Sequence, residues 1–153
     1  MKRVNGFIFM LILLLTLFVM LGLACNHSPS SPRGLYRLTK GTPQRGKYVA
    51  LAMPLKQIAG MPGDIVTVTP QGSYINGKLI PNSAPLLPRH YPYGQYILGP
   101  TDLWLVGKDP RSWDSRYFGP IPETLINAIA QPIWVEHSAP FSTTNRYVRT
   151  LTH

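Results

Sequence analysis

The sequence predicts a mainly β domain, paired antiparallel, behind a single apolar N-terminal helix. Three observations lead there. An uncharged run extends from Gly6 to Ala24. After it come short apolar or alternating stretches separated by Gly, Pro and Asn turn chemistry, including an Asn76-Gly77 pair. Finally, 16 prolines spread through 153 residues leave little room for further long helices.

The apolar run accounts for the first segment, residues 1–25, read as a membrane anchor or signal. Lys2 and Arg3 precede it, and Thr16 is its only clearly polar side chain. As a helix it would be about 28 Å long, close to the hydrocarbon thickness of a bilayer. Basic residues stay on the cytoplasmic side, so everything after Cys25 is expected outside it. The implied location is the inner (cytoplasmic) membrane, single-pass, with the main domain extracytoplasmic. Gly22-Leu23-Ala24 has the small-x-small look of a cleavage site, and Leu23-Ala24-Cys25 faintly resembles a lipidation site. An uncleaved anchor is the preferred reading. The run is longer than a usual signal core, and Gly22 stands where a lipidation site favours a branched apolar residue. Cys25 is the only cysteine, so no disulfide within the chain and no cysteine-based zinc site is possible.

Residues 26–135 suffice for one domain with one core. From Asn26 onward 13 Lys and Arg face 6 Asp and Glu, a net +7 that suits an anionic lipid surface. Nucleic acid is set aside, because neither interleaved aromatic and basic residues nor a DNA-reading helix is visible.

In order, Gly34 to Leu38 and Tyr48 to Met53 read as strands, the second largely buried and ended by Pro54. Leu55 to Ala59 is a mixed stretch carrying Lys56. Met61-Pro62-Gly63-Asp64 makes a turn into a strand over Ile65 to Thr69. Tyr74-Ile75 and Leu79-Ile80 flank Asn76-Gly77 as a type I′ hairpin, giving an antiparallel meander. Five prolines between Pro81 and Pro100 mark an irregular excursion with one strand at Gln95 to Leu98. Leu103 to Val106 is a strand, Gly107 to Arg111 a turn, and Ser112 to Phe118 is expected extended. Thr124 to Ala130 satisfies neither helical nor strand period cleanly and is assigned strand from its surroundings. Ile133 to Val135 is expected to close the core, and residues 136–153 form a polar tail.

Candidate chemistry begins at Asn26 to Tyr36, N-H-S-P-S-S-P-R-G-L-Y, directly after the anchor. Pro29 and Pro32 restrict the backbone around Ser30, although such a stretch also suits a solvated spacer. A serine nucleophile needs a base within reach. His27 is awkwardly close, His90 lies in the proline-rich excursion, and His137 and His153 fall in the tail. Lys56 stands among Leu55, Ile58 and Ala59, where burial would disfavour its charged form, although a lysine with its stem alone buried is the commoner case.

Three blocks in order carry a resemblance: N-H-S-P-S-S-P-R-G-L-Y, L-K-Q-I-A-G-M-P-G-D-I-V and S-W-D-S-R-Y-F-G-P-I-P. Over about residues 1 to 135 the chain resembles the signal peptidase I family. The short S-x-P-x-G motif and the R-Y-F-G-P ending look most like its conjugative-transfer, TraF-type branch. The resemblance implies a signal peptidase I-like β fold and a Ser/Lys serine peptidase that uses no metal or cofactor. It puts the nucleophile on Ser30 and the general base on Lys56. Ser28 and the Ser30 amide would serve the oxyanion hole, and Ser112 would orient the lysine. Asp114, with Arg116 expected to neutralise it, would shape the site without taking the proton. Ser31 occupies a position more often apolar, Gln57 one that is often Arg, and Ala128 one that is commonly Gly.

The implied substrate is a pilin-like or other exported precursor, bound extended beside Tyr48 to Met53 or the segment after Ser30. Conjugation or type IV secretion machinery would be the wider partner, and cyclisation a possible outcome of the reaction. A general leader peptidase and a non-catalytic component of such an apparatus are the alternatives.

Overall fold

The chain is described by a computed structural model covering residues 2–51, 54–88 and 90–136, with side chains given from Gly6 onward. The proposed tail from residue 137, with His137 and His153, lies outside the described residues, as do Ala52, Met53 and Arg89.

Helix α1 spans Lys2–Met20 and stops before the apolar run does. Gly22, at φ 64°, turns the chain, and its carbonyl accepts from the Leu38 amide at 2.7 Å. A side chain there would strike the Leu38 carbonyl oxygen at 2.7 Å, so the turn needs glycine. Leu23, Ala24 and Cys25 therefore leave the helix for strand β1 (Leu23–Asn26). Among the described residues no helix is long and apolar enough to cross a membrane. The part of α1 with described side chains, residues 6–20, would measure only about 22 Å.

The remainder is mainly β. One sheet has seven antiparallel strands in the order β1, β2 (Gly34–Thr39), β11 (Ala128–Val135), β3 (Tyr48–Ala50), β4 (Lys56–Gly60), β9 (Asp102–Val106), β10 (Ile121–Pro122). The second has four: β7 (Lys78–Leu79), β6 (Gly72–Ile75), β5 (Ile65–Thr69), β8 (Gly94–Ile97). The hairpin between β6 and β7 turns at Asn76 (φ 50°) and Gly77 (φ 81°), as a type I′ turn requires.

Strand β9 explains how the layers meet. Successive side chains of a strand point to opposite faces. Leu103 and Leu105 join Val49, Ile58 and Ile129 in one core, while Trp104 and Val106 join Val66, Val68, Ile75 and Leu98 in the other. A strand buried on both sides gives a rigid base to the residue just beyond its end, Gly107.

Four expectations need correction. The meander is broken by β11, which inserts between β2 and β3. Strand assignment ends at Ala50 in β3, short of Met53: Tyr48 and Val49 are paired on both sides, by β11 and β4, whereas Ala50 pairs with β11 alone, and Ala52 and Met53 lie outside the described residues. Ser112 to Phe118 is not extended throughout, because Ser115–Phe118 forms a helical turn, α2, capped by Asp114. Ile133 and Trp134 do not close the core. Strand β11 outruns β3 after Ala130 and bulges at Pro132, leaving Ile133 53% and Trp134 68% exposed; Ile129 and Ala130 are its core residues.

Candidate active site

The loop of residues 27–33 joins β1 to β2. It ends at Gly34, whose φ of 148° and close approach to the Trp134 carbonyl and Val135 admit only glycine. Ser30 sits at the loop's centre, 8% exposed. Its carbonyl accepts from the Lys108 amide at 2.7 Å, fastening the loop to the end of β9. The neighbouring Ser31 hydroxyl is turned away and donates to the Leu55 carbonyl at 2.6 Å. Of the two adjacent serines, only Ser30 faces the lysine.

Lys56 opens β4 and shares its inward face with Ile58; it is 3% exposed. Its ammonium nitrogen, Nζ, lies 2.6 Å from Ser112 Oγ and 3.2 Å from Ser30 Oγ, and the two hydroxyls are themselves 3.2 Å apart. Burial holds the Lys56 pKa below the ordinary lysine value. The positive Arg116 adds to the depression, while Asp114 and Asp109 oppose it. An amine whose charged form is disfavoured, set beside a hydroxyl, has the arrangement a general base requires.

Asp114 and Arg116 make that balance possible. Asp114 caps α2 through the Arg116 amide at 3.2 Å and accepts from the Gly107 amide at 2.7 Å. The Arg116 guanidinium meets both its carboxylate oxygens, through Nε at 2.8 Å and an Nη at 3.0 Å. Both side chains are buried, and Arg116 also donates to the Pro110 carbonyl at 2.6 Å. The carboxylate is thus engaged by a forked cation and two amides. Their adjacency, expected from strand alternation, arises from a helix cap.

Ser28 is placed where its hydroxyl oxygen accepts from the Ser30 amide at 3.2 Å. The two groups assigned to an oxyanion hole are therefore paired with one another in the resting site. An oxyanion arriving there would take the Ser30 N–H from Ser28 and leave the Ser28 O–H free to turn toward the same atom.

A groove of about 370 Å³ opens beside Ser30, lined by Tyr48, Gln57, Ile80, Asn82, Val106 and Gly107 among others. Gln57 is fixed by donating to the Gly46 carbonyl at 2.9 Å. The two described histidines lie elsewhere: His27 is exposed, and His90 stacks on Tyr93 with its Nδ1 2.7 Å from the Tyr91 carbonyl.

Two residues escape the sequence reading. Gly107 figures there only as the start of a turn, yet a methyl group on it would overlap Ser112 Oγ and Cβ and lie 3.3 Å from Ser30 Cβ. Asn26 figures only as the first letter of a motif, yet its amide carries four hydrogen bonds within the loop of residues 27–33. The signal for Asn26 is a polar residue ending a strand before a loop rich in carbonyls without local partners. No signal in the sequence marks Gly107, because the turn back to Ser112 and the approach of Ser30 that crowd it are set by the tertiary fold.

A serine hydroxyl with an amine in reach, on a mainly β frame, defines a site of the serine peptidase class. The chain belongs to the signal peptidase family: the family described as "Signal peptidase, peptidase S26" matches residues 2–135. It is 28% identical over 147 residues to the Plasmid transfer protein TraF of Escherichia coli, covering 73% of this chain and 82% of that protein. It is similar to the Conjugal transfer protein TraF of Agrobacterium tumefaciens at 27% over 153 residues, covering 76% and 84%. The Probable signal peptidase I-2 of Synechocystis is 37% identical over 83 residues, 52% of this chain and 38% of that protein. Among solved structures, a signal peptidase I from Enterococcus faecalis aligns at TM-score 0.42 and 20% identity, covering 60% of this chain and 98% of that one.

Proposed function

We propose that this chain is a membrane-anchored serine endopeptidase that matures a pilin-like precursor, with Ser30 as nucleophile and Lys56 as general base. The observation that carries this reading is the buried Lys56 Nζ held between Ser30 Oγ and Ser112 Oγ. Ser30 Oγ attacks the scissile carbonyl and its proton passes to Lys56 Nζ. Lys56, oriented by Ser112, returns that proton to the leaving amine as the tetrahedral intermediate collapses to an acyl-enzyme. Water releases the product, or the precursor's own amino terminus attacks and closes a ring. Ser28 and the Ser30 amide stabilise the oxyanion; removal of one such donor typically costs on the order of 100- to 1,000-fold in rate.

The conjugative substrate is supported by the likeness to two proteins named for plasmid and conjugal transfer. The anchor is supported by α1, whose described apolar side chains, Phe7 to Leu17 among them, are left exposed. Counted from Lys2 the helix would be about 28 Å long and would set the site just outside the inner membrane. A net +7 for the remainder suits anionic lipid. The likeness to a probable signal peptidase I keeps a general leader peptidase as the second reading.

The test is turnover of a conjugative pilin precursor in membranes by the wild type, Ser30→Ala and Lys56→Ala, with the product's intact mass. Processing by the wild type alone supports the reading, and a product lighter by one water marks cyclisation. Processing by Ser30→Ala overturns the nucleophile. If deletion leaves the pilin mature but other exported precursors uncut, the general leader peptidase takes its place.

A further inference from the structure

We propose that Asn26 is the positioning residue of the nucleophile loop, holding Ser28 and Ser30 in reacting geometry. This rests on the proposed role of Ser30 as nucleophile. Asn26 is the last residue of β1, paired across the sheet with Gly34, so the two close the neck of the loop they flank. Its side chain turns into that loop and is 8% exposed. Asn26 Oδ1 accepts from the Ser28 amide at 3.2 Å, while Nδ2 donates to the carbonyls of Ser28 at 3.1 Å, Ser31 at 3.1 Å and Pro32 at 3.0 Å.

A loop this short, with prolines at 29 and 32, cannot satisfy its own carbonyls by regular pairing, and buried carbonyls left unpaired are expensive. An amide supplies the remedy, since it accepts and donates at once. The Tyr36 hydroxyl assists by donating to the Pro32 carbonyl at 2.6 Å. Burial, with Tyr48 nearby, pushes the Tyr36 pKa up to about 12, so that donor keeps its proton throughout the working range. The hydrogen bonds of the Asn26 side chain all stay within its own loop and none goes to Lys56. Asn26 acts through Ser28, whose hydroxyl oxygen receives the Ser30 amide, and through the Ser31 and Pro32 carbonyls that come after the nucleophile. An aspartate of equal size would turn a carboxylate toward three carbonyl oxygens, so shape alone does not satisfy the position.

The test compares wild type, Asn26→Ala, Asn26→Asp and Asn26→Thr, the last a good strand former that keeps one donor. Deuterium exchange at the amides of Ser28, Ser30 and Ser31 is expected to quicken at least about tenfold in Ala and Asp, with β4 and β9 unchanged as the control for folding. With the pilin precursor as substrate, kcat should fall about ten- to hundredfold with KM within about twofold. The acid limb of the pH profile should not move, since Lys56 is untouched. Thr should lie between. Unchanged loop exchange, or kcat within about threefold of wild type in Asn26→Asp, overturns the proposal. A fall in protection spread evenly over the sheet also overturns it, as a purely structural role. A wild type that protects the loop amides yet cuts no precursor refutes the peptidase reading instead, and exchange alone then decides whether Asn26 holds the loop.

Discussion

Gly107→Ala places a single methyl group where the site has no room. The added carbon would overlap Ser112 Oγ and Cβ and come within 3.3 Å of Ser30 Cβ, whereas ordinary contact begins at 3.4 Å. The glycine backbone cannot retreat easily. Its amide donates to Asp114 at 2.7 Å, and the next amide, of Lys108, donates to the Ser30 carbonyl at 2.7 Å. Ser112 must therefore give way by about 1 Å or more, and a misplacement of that size can cost on the order of 100-fold in rate. The movement breaks the 2.6 Å bond that orients Lys56. Overpacking should also destabilise the fold by about 1–3 kcal/mol.

The assay is a double-mutant cycle with Ser112→Gly, which removes both atoms the methyl would strike. Urea denaturation should show Gly107→Ala destabilising in the wild-type background and nearly neutral beside Ser112→Gly, a coupling of about 1–2 kcal/mol. Precursor turnover should stay low in the double variant, because the hydroxyl that orients Lys56 is gone. The steric reasoning is refuted if Gly107→Ala cuts within threefold of wild type, a result about 0.65 kcal/mol from no effect. Equal destabilisation in both backgrounds would refute it too.

Lys56→Met should abolish turnover yet raise stability at neutral pH, because it removes a cation that burial disfavours; a lower urea midpoint would contradict this. The sign comes from proton binding. Between the folded pKa of Lys56 and the ordinary lysine value the unfolded chain binds more protons, so the penalty is full below the folded pKa and fades as pH rises toward the ordinary value. Turnover should likewise fall as pH drops through the folded pKa of Lys56, and Lys56→Met should flatten the corresponding rise in stability. In Asp114→Asn the loss of a charge that raises the Lys56 pKa should shift the acid limb of turnover downward in pH, while the unpaired buried Arg116 costs about 3–5 kcal/mol. An upward shift would show that Asp114 acts otherwise. Ser31→Ala should lose about 1 kcal/mol of stability with its bond to Leu55 and keep its activity, as parallel denaturation and precursor turnover would check.

The sequence makes legible the features that neighbours in the chain determine. The Asn76-Gly77 hairpin, the turn at Met61 to Asp64 and the strands β5, β8 and β9 arise from local turn chemistry and alternation, and they stand within a residue or two of where those signals put them. The insertion of β11 between β2 and β3 has no local signature, since it joins segments about eighty to a hundred residues apart, and neither has the exposure of Trp134, which follows from β11 outrunning β3 and its bulge. The region from Ser112 to Phe118 shows how a correct contact can come from a wrong conformation. Residues two apart share a face of a strand, but an N-cap aspartate also meets the residue two positions on, so Asp114 and Arg116 pair under either description. Lys56 is the more legible case. Leu55 to Ala59 reads as a mixed stretch, whereas strand period alone would put Lys56 on one face with the apolar Ile58 and Gln57 on the other. A lysine forced by alternation onto the buried side of a strand must either find a carboxylate or have its charged form disfavoured, and the carboxylate of Asp114 is already held by Arg116 and the Gly107 amide. The second course prevails: burial lowers the Lys56 pKa, with its Nζ 3.2 Å from Ser30 Oγ.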